Sequence, residues 1–148
     1  MINIERRVYN MVKKYDTCNP FLLAKELGIN IDYYELPPTI RGCYTKILRK
    51  KHIGLSKSLS EHGAKVTLAH ELGHARLHWA GTFNCSIVIP RQIIKYRPEL
   101  EANIFALHTI SYSNDFDIDI VKRFLKERHP TCSQVHSILK ELIDFRSA

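Results

Sequence analysis

The stretch "TLAHELGHARLHWAG", residues 67–81, sets His70, His74 and His78 four residues apart, with Glu71 directly after the first of them. Neutral imidazole is a good ligand for divalent transition metals, and a carboxylate beside such a ligand is a base for water. On a helix, residues four apart stand about 6 Å apart along the axis and nearly on one face. His70 and His74 therefore reach a single ion. Glu71, one residue round, addresses a water on that ion without ligating it. This is the HExxH arrangement of zinc hydrolases. His78 lies about 12 Å from His70 on an unbroken helix and so fails as a third ligand. A fused three-histidine motif would also need glycine at position 77 and histidine at 80, where the chain has Leu77 and Ala80. His78 reads instead as a polar residue on the helix face or as a group supporting a ligand from behind.

A catalytic zinc takes three protein ligands and keeps a fourth position for water. Downstream, "RPELEANIFA" offers Glu99 and Glu101 at the start of another helix. Helical spacing sets Glu101 beside Ile104 and Phe105, at the edge of an apolar face able to pack on the HExxH helix. It leaves Glu99 open as well, since Ala102 and Ala106 share its side.

The elements that must hold these groups are legible in outline. Ile4, Val8, Met11, Val12 and Tyr15 recur at helical spacing and predict an amphipathic helix over 3–15. Asn19-Pro20 opens a second helix, and Gly28 closes it. "INIDYYE" (29–35), "RGCYTKIL" and "HIGLS" predict three short strands, with "RKKH" as a hairpin turn. Residues 60–79 read as the helix carrying the motif, ended by Gly81, and 82–90 as an extended or loop segment. Pro98 opens a further helix. "DIDIVKRFLKER" and a stretch after the Thr131/Gln134 capping box read as two more. The expectation is one α+β domain over residues 1–148, a short antiparallel sheet packed among helices with the HExxH motif on a central helix.

Composition narrows the class. The chain has 148 residues, 45% hydrophobic and 25% charged, which suits one soluble domain with a real core. The N-terminal "MINIERRVYNMVKKYD" lacks the apolar core of a signal peptide, and no apolar run approaches the roughly 20 residues of a membrane span. A cytoplasmic protein without a membrane partner is expected. Cys18, Cys43, Cys85 and Cys132 form no CxxC pair and read as reduced thiols. The net charge of +7 is spread over several basic stretches, a pattern of solvated faces more than of a nucleic-acid footprint. "PFLLAKELGI" has the look of the first half of a helix-turn-helix, but "NIDYYELPP" follows where a recognition helix is needed. Direct nucleic-acid binding is therefore not expected as the main role; the other alternative, a non-catalytic regulator that keeps the zinc fold, yields to catalysis because Glu71 is intact.

"AHELGHARLH" followed by "ELEANIFA", with "NPFLLAKELGI" and "IRGCYTKI" upstream, resembles the ImmA/IrrE family of bacterial metallopeptidases over roughly residues 19–110. The chain departs from the family's usual continuation after the second motif, having "FALHTISYS" instead. The resemblance implies a zincin-like fold, a Zn2+ cofactor and a protein substrate, namely a helix-turn-helix repressor of a phage or mobile element. It implies Glu101, directly before Ala-Asn, as the third ligand beside His70 and His74, with Glu71 as the catalytic base. Tyr44, Tyr96 and His108 are candidates for a second oxyanion donor. The helices expected over about 112–146 would then serve docking.

Overall fold

Helix α1 (Ile4–Tyr15) begins where the Asn3 side chain accepts the Arg6 backbone N–H at 3.0 Å, and it buries Ile4, Val8 and Met11. Helix α2 (Pro20–Glu26) is capped by Asn19, whose side chain accepts the Phe21 N–H at 3.0 Å, and has proline at its first position. Gly28 follows with φ of 71°, a left-handed turn that glycine takes without a Cβ clash. The computed structural model describes residues 2–78, 84–87, 97–113, 121–122, 126, 134–135 and 137–140.

The chain then enters a sheet. Strand β1 (Asn30–Tyr34) lies where a recognition helix would have to be, which removes the helix-turn-helix alternative for this segment. Strands β2 (Ile40–Ile47) and β3 (Lys50–Ser56) form an antiparallel hairpin, and β4 (Asn84–Ile87) pairs antiparallel with β2. The order is β1-β3-β2-β4, and β1 joins β3 in parallel. The sheet is thus mixed, where an antiparallel one was expected. Pro37 and Pro38 are the local reason: neither has an N–H to give a ladder. The chain turns there, with Ile40 N–H on the Pro37 carbonyl at 2.9 Å, and does not return as a hairpin. The β2–β3 turn is Leu48-Arg49, not "RKKH": both residues have positive φ, 50° and 70°, the two-residue loop whose twist suits a hairpin. Lys50, Lys51 and His52 instead pair in register with Ile47, Lys46 and Thr45.

Helix α3 (Glu61–Leu77) is capped by Ser60 and buried along almost its whole length, packed between the sheet and helix α4 (Arg97–Ile110). One apolar cluster joins α1, α2, the sheet and α3 through Val8, Leu23, Tyr44, Ile53, Leu55, Leu68 and Leu72. A second joins α3 and α4 to Val121, Val135 and Leu139. Among the described residues no helix is long and apolar enough to cross a membrane. Trp79, Gly81, Tyr96, Cys132 and most of the expected C-terminal helices lie outside the described residues.

Candidate metal centre

Two close approaches hold α3 in place around the motif. A Cβ on Gly73 would stand 2.9 Å from Ala102 Cα and 3.1 Å from its carbonyl oxygen, so the third residue after His70 lets α4 lie directly against α3. On the opposite side, a Cβ on Gly42 of β2 would stand 2.8 Å from Thr67 Cγ2 and 3.5 Å from Glu71 Cγ. Both glycines act by taking up no space. They bring helix and strand backbones to a distance at which short polar side chains converge.

The side chains that converge are His70, His74 and Glu99. His70 Nε2 and His74 Nε2 are 3.2 Å apart; Glu99 reaches the first with Oε2 at 3.3 Å and the second with Oε1 at 3.0 Å. Glu99 sits in the first turn of α4, where the helix N-terminus favours a negative charge. Burial alone would push its carboxyl up, but hydrogen bonds and charge from His70 and His74 outweigh that and hold it well below the usual carboxylate range. The donor set fits a divalent cation. Donors at tetrahedral corners around a zinc-sized ion, with arms near 2.0 Å, stand about 3.3 Å apart. Two imidazole nitrogens at that separation share at most one proton if both rings are neutral, whereas a cation satisfies both and the carboxylate together.

Glu101, the expected third donor, is not in this cluster. Its Oε1 lies 4.0 Å from His78 Nε2 instead. The difference has a packing cause. Glu99 shares its helix stripe with Ala102 and Ala106, both fully buried, and it is the small Ala102 that meets Gly73. The alanines were the readable signal: the stripe that touches a glycine-bearing helix most closely is the one with the smallest side chains. Glu71 is fully buried next to His70, over Gly42. His78 also stands outside the cluster, as its distance from His70 along the helix requires. The helix ends at Leu77, and His78, with an extended backbone (φ −119°, ψ 122°), has its Nδ1 3.0 Å from His74 Nδ1. Burial, with the adjacent His74, pushes the His78 imidazole down to about 4. Of the oxyanion candidates, Tyr44 is buried in the first apolar cluster and His108 feels the charge of Glu5 on α1.

A mixed sheet with a motif-bearing central helix, and a buried His-His-Glu cluster made with the next helix, define a zincin-like metal-site protein. A family model described as peptidase M78, IrrE N-terminal-like domain, matches residues 24–147. The chain belongs to this family, the metal-dependent peptidases of the ImmA/IrrE type. It is also 33% identical over 108 residues to "Uncharacterized immunity region protein 2" of Bacillus phage phi105, covering 72% of this chain and 67% of the relative. No solved structure matches it.

Proposed function

We propose that the chain is a zinc-dependent endopeptidase in which His70, His74 and Glu99 hold the metal and Glu71 is the general base. The observation that carries this reading is the convergence of two Nε2 atoms and a carboxylate within 3.0–3.3 Å, with a buried Glu71 next to one of them. His70, His74 and Glu99 would hold a divalent cation, which would supply Lewis acidity to polarise a carbonyl and to make water at the site more acidic. The protein's own residues then handle position and protons. Glu71, dry and fixed against β2, takes a proton from the attacking water and delivers it to the nitrogen of the leaving amine. Glu99 neutralises charge without offering a proton, since its carboxyl is held ionised.

The substrate we infer is a cytoplasmic helix-turn-helix repressor of a phage or mobile element, cut at one or few sites. Family membership and the immunity-region relative from phage phi105 support a repressor context. The test incubates zinc-loaded protein with the repressor encoded beside its gene, against Glu71→Gln loaded the same way. Discrete cleavage by the wild type alone is expected. Efficient digestion of unrelated unfolded proteins with the repressor left whole would refute the substrate assignment.

A further inference from the structure

The His74 ring has two nitrogens, and the structure gives each a separate partner. Nε2 faces His70 and Glu99, while Nδ1 lies 3.0 Å from His78 Nδ1. Behind His78 stands Glu101, its Oε1 4.0 Å from His78 Nε2, with both side chains only 15% exposed. His78 Nε2 itself is buried and makes no hydrogen bond to any described residue. Four groups thus lie in line: Glu99, His74, His78 and Glu101.

We propose that His78 and Glu101 form a positioning chain that fixes the tautomer and ring orientation of His74 for metal binding. The inference rests on the reading of His70, His74 and Glu99 as the ligands. A ligand Nε2 must be bare, so the His74 proton sits on Nδ1 and is donated to His78 Nδ1. That nitrogen must then be bare too, which puts the His78 proton on Nε2, on the side of the Glu101 carboxylate. Every proton in the chain points away from the metal, and a negative charge stands at its far end. At 4.0 Å Glu101 acts through its field and not through a hydrogen bond, so its share is the smaller one. The geometry also assigns a role to the second glutamate of "ELEAN", which lies off the Glu99 stripe of the helix and does not join the cluster.

The four-residue spacing on α3 makes this possible. His78 follows the last helical residue and keeps the helical bond from its N–H to the His74 carbonyl, at 3.0 Å, so its ring stands beside the ring four residues earlier. The two ring centroids stand 5.1 Å apart.

The test is zinc affinity, measured by chelator competition on the full chain. Controls show that each variant is folded when metal-free. His78→Leu is expected to bind one zinc about 10–100 times more weakly, the usual effect of removing a group that orients a ligand. His78→Gln, which keeps an acceptor oxygen of similar reach, should recover part of that loss. Glu101→Gln should lose less than His78→Leu, and the double variant no more than His78→Leu alone, because Glu101 works through His78. In the zinc-loaded wild type, the His74 Nδ1 proton should be visible by nitrogen-edited NMR and vanish in His78→Leu. Affinity within twofold of wild type in His78→Leu, or additive losses in the double variant, would overturn the chain. So would Glu101→Ala abolishing zinc outright, which would make Glu101 a ligand. Failure of the underlying ligand reading would look different: His70→Ala and Glu99→Ala would then keep their zinc.

Discussion

Helices α3 and α4 meet along one contact with two unlike halves. Towards the end of α4, Val66 and Ala69 of α3 join Ala106, Leu107 and Ile110 in an apolar cluster, all essentially buried. Towards its start, the same two helices enclose His70, His74 and Glu99, equally buried but polar. Burial is therefore not what separates structure from function here. The apolar half is held by area and volume, which many side chains can supply. In the polar half each group gives up water, and the loss is offset only if the donors meet one another or a cation at the right distance. That requirement makes it fragile, and it explains why the glycine contact lies in this half.

The sharpest way to break the comparison is to change one residue directly beside the polar half and one within the apolar half. Glu71→Gln should leave fold and metal content intact while cleavage of the substrate falls by about 10²–10⁴, the usual share of general acid–base catalysis. Turnover near wild type would remove Glu71 from the mechanism. Leu107→Ala, in the other half, should do the reverse. Truncating this fully buried side chain should cost about 2–5 kcal/mol in urea unfolding, with kcat little changed in the protein that remains folded. Equal losses of both quantities in the two variants would mean that the halves are not separable.

Gly73→Ala tests the seam between them. In an open helix this change adds stability, up to about 1 kcal/mol. Here the new methyl would meet backbone atoms at 2.9 and 3.1 Å, and backbone cannot rotate aside. We expect a net loss of about 1–3 kcal/mol, the range for an overpacked core. Zinc affinity should fall as well, because pushing α4 outwards moves Glu99 and not the histidines. A stabilised variant with unchanged affinity would show that the approach of the helices does not set the site.

The unequal legibility of the two halves follows from the same physics. His70, Glu71 and His74 lie on one helix, so local periodicity is enough to bring them together. The capped ends of α1, α2 and α3 at Asn3, Asn19 and Ser60 are equally local and agree with the helices expected. Choosing Glu99 over Glu101 needs the rotation of a second helix, which depends on a contact between Gly73 and Ala102, distant in sequence. The parallel pairing of β1 with β3 is non-local in the same way. His78 was legible for the same local reason as the motif: four residues after His74 and eight after His70, it falls beside the first and outside the cluster, although the helix expected to reach Trp79 stops at Leu77.

The smallest expected effect concerns a histidine outside the polar half. His108 is partly buried on α4, and burial pulls its imidazole below the ordinary histidine value of about 6.5 even though Glu5 on α1 pulls the other way. Above that value neither folded nor unfolded chain carries a proton on this ring, and the group has no effect on stability. As pH falls through it, the unfolded chain takes up a proton that the folded one resists, so stability falls with pH. One such group contributes a slope of at most about 1.4 kcal/mol per pH unit. In metal-free protein, His108→Gln should therefore flatten the loss of stability as pH falls below about 6.5 without abolishing it, since the depressed His78 contributes with the same sign. Urea unfolding at a series of pH values, wild type against variant, measures the difference. Curves that stay parallel would mean that Glu5 compensates burial fully. The contrast with the metal centre would then lie in how each buried imidazole is partnered, by one carboxylate across an interface or by a converging cluster.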